Sequence, residues 1–376
     1  MKVESLTFSD FRNYERFSLD EIGKLTVLIG HNGVGKTNVL EGIQLLTSAS
    51  SFRHPQISQL VREGAECGRV ALEAGDDSRE LSVALALAPG SRRYSVNGKA
   101  KSGADVRGIL PSVIFTPDDL QLAKGSSGVK RAAVDDLGMQ LTRNYYVVRR
   151  DYEKTVRYKN RLLRDGAARE YVDSINETLI TCGAQLFCLR AALFGRMVPI
   201  VARVYSELSA GAEAFAASLN PSWERIGATH AGEDYPAAAD TPPRAASVPS
   251  IREKLAEELA RWGDEERRRG RALVGPHADE ILFTLGNRDA AAFASQGQQR
   301  SIVLAWKMAE VETVREVLGV TPVLLLDDVL SELDGSRREM LVRFVTEDVQ
   351  TFVTATDLDG FAGELLDRAK VVKLPL

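Results

Sequence analysis

Gly30-His31-Asn32-Gly33-Val34-Gly35-Lys36-Thr37 follows directly on the apolar run Leu25-Thr26-Val27-Leu28-Ile29. A chain with this pattern has to end a strand and begin a helix within a few residues. Glycines at 30, 33 and 35 let the backbone curl until successive N–H groups point inward at an anion, where a side chain would stand in the way. The pattern predicts a phosphate-binding loop and a helix over Asn38 to Leu46 whose positive end faces the phosphates. Lys36 supplies a point charge for the β- and γ-phosphates and is a candidate catalytic residue. The Thr37 hydroxyl suits one position on a magnesium ion that keeps most of its waters. Gly30, His31, Asn32, Gly33, Val34, Gly35, Lys36, Thr37 and Asn38 are the expected nucleotide-binding residues, with ATP and Mg2+ as cofactors. The bland alternative is a glycine turn with an incidental lysine, and the strand-before, helix-after context speaks against it.

A second apolar run, Val323-Leu324-Leu325-Leu326, ends in Asp327-Asp328. Uninterrupted apolar residues predict a strand buried on both faces, which delivers two carboxylates at its end. Asp327 is assigned to the metal through water. Asp328 is the expected base or water-orienting group, because in-line attack on a γ-phosphate needs an acceptor beside the nucleophile. Upstream, Phe293-Ala294-Ser295-Gln296-Gly297-Gln298-Gln299-Arg300 sets an amide-rich turn before an apolar helix over Ser301 to Val311. Such a turn offers a hydroxyl, backbone N–H groups and a helix N-terminus together, all suited to a triphosphate.

The 376 residues, 44% hydrophobic and 27% charged, suffice for two or three lobes with a real core. Cys67, Cys182 and Cys188 form no metal-ligand pattern and are expected as small core residues in a reducing compartment. The N-terminus lacks a basic stretch followed by an apolar one, and no run is expected to reach bilayer length, so a cytoplasmic protein is expected. The net charge of −4 means that any contact with a polyanion must come from a local patch.

Short apolar runs at Leu81 to Leu87 and Ser112 to Phe115, with a hairpin turn at Asn97-Gly98, give the N-terminal third a mixed strand and helix character. Gln140 to Asp165 holds no glycine or proline and predicts one long helix ending at Gly166. Tyr171 to Leu208 and Ile251 to Arg269 continue the helical pattern. Pro236, Pro242, Pro243 and Pro249 punctuate a loop over 229–250. Strand signals return at Ile281 to Leu285, Val323 to Leu326 and Thr351 to Thr354. The expected division is a discontinuous head, 1–122 with 270–376, whose ends share one sheet, and a mainly helical lobe over 123–269.

Arg143, Arg150, Lys154, Arg157, Arg161 and Arg164 recur at helical spacing and form one stripe roughly 30 Å long. Tyr145, Val148, Tyr152, Val156 and Leu163 project to the other side. A solvated charged face is the ordinary reading of such a pattern. Between Arg143 and Arg164 only Asp151 and Glu153 offset the charge, so the stripe is a candidate backbone-led DNA contact with weak sequence preference.

Read together, GHNGVGKTN, SQGQQR and LLLDDVLSELD resemble the ATP-binding-cassette heads of the SMC and Rad50 group, and most closely the RecF family of bacterial recombination-repair proteins. Phe11-Arg12-Asn13-Tyr14, Ser51-Phe52-Arg53, Phe115 to Leu120 and Leu273-Val274-Gly275-Pro276-His277 resemble the same family in the same order. The resemblance implies an α/β Rad50-like head formed by both chain ends with an inserted helical lobe. It implies that Ser295, Gln296, Gly297 and Gln298 of one subunit meet the nucleotide of another, that Ser331 and Asp334 sit in a loop at the dimer seam, and that Thr354 or Thr356 stands where transporters use a switch histidine. It further implies slow ATP hydrolysis, a homodimeric clamp on DNA at gaps or junctions, RecR and RecO as partners, and loading of RecA. The chain departs from the family at Ala278, where relatives often carry arginine, and at Lys130-Arg131, where they are richer in arginine. The nucleotide-binding subunit of a membrane transporter shares the motif order, but would need a switch histidine, and no histidine follows His277.

Overall fold

The computed structural model describes residues 1–225, 247–330, 335–346, 349–358 and 367–374. The expected dimer-loop residues Ser331 and Asp334, and most of the expected loop over 229–250, lie outside the described residues. Contacts divide the chain into two units, Met1–Asp119 with Glu310–Leu376, and Leu120–Ala309.

The first unit holds two sheets. A six-stranded antiparallel sheet runs Tyr14–Leu19, Lys2–Phe11, Gly68–Asp76, Arg79–Ala88, Ser91–Val96, Lys99–Lys101. Its last hairpin turns at Asn97 (φ 48°) and Gly98 (φ 74°), as the Asn-Gly step predicts. A five-stranded parallel sheet runs Ala369–Lys373, Leu25–Ile29, Thr351–Ala355, Val323–Asp327, Ser112–Phe115. Its three central strands are buried at every position, which is why Val323 to Leu326 reads as an unbroken apolar run and the other two are interrupted only by threonine. The helix Lys36–Thr47 packs against both sheets, burying Val39, Leu40, Ile43, Leu45 and Leu46 in one core with Phe8, Val70 and Phe352. Gly42 on this helix is a close-approach position, since a Cβ there would meet the Phe8 ring at 2.5 Å.

The second unit is built on the helices Ser127–Leu141, Arg143–Arg164, Arg169–Leu208 and Val248–Arg269, with a three-stranded antiparallel sheet, Arg288–Asp289, Glu280–Leu285, Phe215–Asn220. The strand Glu280–Leu285, expected in one sheet with the chain ends, pairs here with Phe215–Asn220 instead. Burial alternates along both strands, so each has a single core face and neither suits a sheet covered on two sides. The segment 270–309 accordingly groups with the middle of the chain. The single helix expected over Gln140 to Asp165 is broken at Thr142 (φ −143°, ψ 137°), whose hydroxyl accepts the Tyr145 N–H at 3.1 Å and caps a new helix.

The expectation that no run reaches bilayer length is also corrected. Arg169–Leu208, 40 residues, is long and apolar enough to cross a bilayer, but 67% of its most apolar stretch is buried inside the protein. Its inner face carries Arg190, 3% exposed at its side chain, which holds Asp135 through two bonds at 2.9 Å and donates to the Pro276 carbonyl at 2.7 Å. Beside it the Tyr152 hydroxyl lies 2.6 Å from His277 Nδ1, and burial pushes the imidazole pKa down to about 4. Cys182 is buried as expected, Cys188 is half-buried, and Cys67 is exposed rather than part of the core.

Candidate nucleotide-binding site

Parallel strands present their carboxyl ends along one edge of a sheet, where ligands of α/β folds bind. Leu25–Ile29 leads from that edge into the loop at 30–35, where Gly33 (φ 87°) and Gly35 (φ 111°) take backbone conformations that L side chains resist. At Gly33 nothing lies within 4 Å of an added Cβ. At Gly35 an added Cβ would stand 2.7 Å from the Asn13 amide atoms and 2.8 Å from the Tyr14 hydroxyl. Lys36 is 8% exposed and folds over its own loop, donating to the Gly30 carbonyl at 2.5 Å and the His31 carbonyl at 3.2 Å. His31, Asn32 and Gly33 are exposed at the loop's tip.

The hairpin closed by the Phe11–Tyr14 pair brings residues to this loop that have no place in the glycine pattern. Asn13 donates to the Val34 carbonyl and accepts from Asn38 Nδ2, both at 2.8 Å. Arg53 donates to Asn38 Oδ1 at 2.8 Å. Behind them Glu41, fully buried on the helix, takes two bonds of 2.7 Å from Arg12, one of 2.6 Å from the Ser51 hydroxyl, and lies 3.7 Å from Arg53. Removing one partner of such a buried charge costs about 3–5 kcal/mol. Arg12, Asn13, Glu41 and Arg53 thus fix the loop and its helix. The sequence held no spacing signal for this; only the family-like stretches at 11–14 and 51–53 hinted at it.

The second half of the site comes from the two neighbouring strands. Thr354 lies beside Asp327 in the parallel ladder. Asp327, at the end of Val323–Asp327 and 8% exposed, accepts the Thr37 hydroxyl at 2.8 Å across 290 residues of chain. The Thr354 hydroxyl donates to the same oxygen, Oδ1, at 2.8 Å. Burial raises the Asp327 carboxyl above its ordinary pKa, while the bonds from Thr354 and Thr37 and the charge of Arg53 oppose that rise. Asp328 has φ 53°, and its N–H donates to Thr354 Oγ1 at 2.9 Å. Thr356 is exposed and bonded to Asp357 at 3.2 Å. Among the described residues no group of three or more His, Cys, Asp or Glu could hold a metal. The donors at this edge are a hydroxyl and a carboxylate, hard oxygens of the kind magnesium takes.

The turn at Ser295 to Gln298 lies in the second unit and opens the helix Gln296–Leu318. It is closed on itself: the Ser295 N–H donates to Gln298 Oε1 at 2.6 Å, the Gln298 N–H donates to Ser295 Oγ at 3.3 Å, and Gln298 Nε2 donates to Glu213. Ser295 and Gln296 are exposed, Gly297 and Gln298 half-buried.

All six residues of the basic stripe are exposed on Arg143–Arg164, and Tyr145, Val148, Tyr152, Val156 and Leu163 are buried on its inner side. The stripe is more heavily offset than its sequence suggested. Arg150 bonds Asp151 at 2.9 Å, Arg157 lies 3.8 Å from Glu153, and Arg161 lies 3.5 Å from Asp165. Exposed pairs of this kind contribute about 0–1 kcal/mol each, so they yield readily to a stronger anion.

The chain matches the family described as RecF/RecN/SMC N terminal domain over residues 2–367. It is 34% identical to the DNA replication and repair protein RecF of Myxococcus xanthus, covering 95% of this chain and 91% of that one. It is 38% identical to RecF of Symbiobacterium thermophilum, covering 96% and 92%. A solved structure described as the recombination mediator protein RecF-ATPrS in the RecFOR pathway superposes with a TM-score of 0.84 at 27% identity, covering 96% of this chain and 94% of that one. The Smc head domain of Pyrococcus furiosus, at 16% identity and a TM-score of 0.53 over 99% of this chain and 93% of its own, shares the fold. None of these relatives is a transporter subunit, and the chain, an ATP-binding-cassette head by fold, belongs to the RecF family of DNA replication and repair proteins.

Proposed function

We propose that this chain is an ATP-dependent DNA-binding protein of recombinational repair in the bacterial cytoplasm, in which ATP joins two copies into a clamp on DNA at single-strand gaps or duplex junctions. The observation that carries the reading is the meeting of Thr37 and Asp327 at 2.8 Å beside a loop whose glycines hold the backbone open for phosphates. The description of a related structure as RecF with ATP in the RecFOR pathway supports the choice of nucleotide.

Gly30 to Asn38 cradle the triphosphate, and Lys36 exchanges the carbonyls of Gly30 and His31 for phosphate oxygens. Thr37 and Asp327 would hold Mg2+, which supplies charge neutralisation of the β- and γ-phosphates when bound. Asp328 orients the attacking water. Gly30 to Lys36 and Asp328 belong to one copy, and Ser295 to Gln298 of the second copy close on its γ-phosphate, giving up the bonds they make to each other and to Glu213. Hydrolysis is slow and serves to reopen the clamp. Arg143, Arg150, Lys154, Arg157, Arg161 and Arg164 meet the DNA backbone, and RecR and RecO join at the gap where RecA is loaded.

Light scattering of the protein with no nucleotide, with ADP and with ATP on a short gapped duplex tests the reading. ATP is expected to double the mass, Lys36→Arg to reduce nucleotide binding or turnover at least tenfold, and Ser295→Arg to bind ATP normally but stay monomeric. A Ser295→Arg protein that dimerises like the parent would remove the second copy from the site.

A further inference from the structure

Thr354 is 1% exposed and sits in a strand bonded on both sides, with Asp327 as its neighbour in one ladder and Leu28 in the other. A β-branched side chain in such a strand has little rotamer freedom, so its hydroxyl occupies one place. That hydroxyl makes two bonds of opposite sense, donating to Asp327 Oδ1 at 2.8 Å and accepting from the Asp328 N–H at 2.9 Å. Only an O–H can both give and receive at one point. Asp328, at φ 53°, lies in a region that a residue with a side chain leaves unless it is held. Thr356, the other threonine considered at this strand end, is exposed and bonded to its own neighbour, Asp357.

We propose that Thr354 is a positioning residue for ATP hydrolysis: its hydroxyl ties the two acidic residues into one unit, aiming the Asp327 carboxylate at Thr37 and locking the Asp328 backbone in its left-handed turn. It rests on the reading above that Asp327 and Asp328 serve ATP turnover. Thr354 itself is 1% exposed and acts through the two aspartates it bonds. Without its hydroxyl, Asp328 relaxes toward ordinary backbone angles and its carboxylate moves off the line of attack. The glycine loop, Lys36 and the ladder pairing stay as they are. The defect therefore belongs to turnover and not to nucleotide capture.

The test compares the full-length protein with Thr354→Val, which keeps the shape and loses the oxygen, and Thr354→Ser, which keeps the oxygen. Three experiments are compared: steady-state kcat and KM for ATP, affinity for a fluorescent ATP analogue with and without Mg2+, and hydrogen exchange at the Asp328 amide in the nucleotide-free protein. Thr354→Val is expected to lower kcat at least tenfold, to leave analogue affinity without Mg2+ within about threefold while reducing the gain that Mg2+ brings, and to lose protection at Asp328 while Leu326 and Val353 keep theirs. Thr354→Ser is expected to restore kcat and protection to near the parent's values. Should valine be refused by the strand, Thr354→Ala supplies the same comparison. Unchanged kcat and protection in Thr354→Val overturn the role of Thr354 alone, as does a serine variant as impaired as valine. A parent protein with no ATP turnover on DNA overturns the hydrolytic reading, and this role with it.

Discussion

Gly33 and Gly35 show how differently the same backbone preference can be enforced at two positions of one loop. Both have positive φ, yet only Gly35 is crowded, by Asn13 and Tyr14. Alanine at 33 carries the conformational cost alone, about 1–2 kcal/mol, which converts to roughly tenfold in ATP affinity if all of it falls on the loop. Alanine at 35 adds a clash with Asn13, which is itself bonded to Val34 and Asn38. Gly35→Ala is expected to weaken ATP binding at least ten times more than Gly33→Ala in a titration with a fluorescent analogue. Equal losses would mean that the Asn13 support does not matter to the loop.

Elements behave in this chain as faces. Arg143–Arg164 buries one face and exposes the other, and the exposed face carries six cations partly matched by carboxylates on the same helix or at its end. Because exposed ion pairs contribute little, replacing Arg150, Lys154 and Arg157 with alanine is expected to leave the helix folded. DNA affinity should fall, and the slope of log K against log salt should flatten by about 0.9 for each phosphate that no longer meets a cation. ATP affinity should not change. A triple variant with the parent's salt slope would assign the stripe to solvent.

At the scale of the whole molecule the first unit is interleaved from both ends of the chain. In the parallel sheet, Leu25–Ile29 lies between Ala369–Lys373 and Thr351–Ala355, and Val323–Asp327 separates Thr351–Ala355 from Ser112–Phe115. A fragment of residues 1–119 keeps the glycine loop but loses every strand that pairs with Leu25–Ile29, and is expected to bind no ATP and to lack cooperative unfolding. Gln350 ties the same ends together, accepting the Val3 N–H at 2.7 Å and donating to the Val3 carbonyl at 2.8 Å. Gln350→Leu strands those buried groups and is expected to cost about 1–3 kcal/mol, read as a lower urea midpoint with unchanged slope.

What could be read from the chain one segment at a time was local chemistry. The glycine loop, the fully buried strands, the acidic pair, the Asn97-Gly98 turn and the two-faced helix each arise from a few neighbouring residues whose conformational preferences or burial pattern act over short range. The break at Thr142 was legible in principle, as a threonine cap, but the absence of glycine and proline concealed it. Long-range pairing was not legible. Nothing in Ile281 to Leu285 says that it joins Phe215–Asn220, nothing in Glu41 says that it will meet Arg12, and nothing in Thr354 says that it will bridge Asp327 and Asp328. Those pairings follow from which strands become neighbours, a choice made by the packing of all the apolar faces at once, and only the folded chain records its outcome.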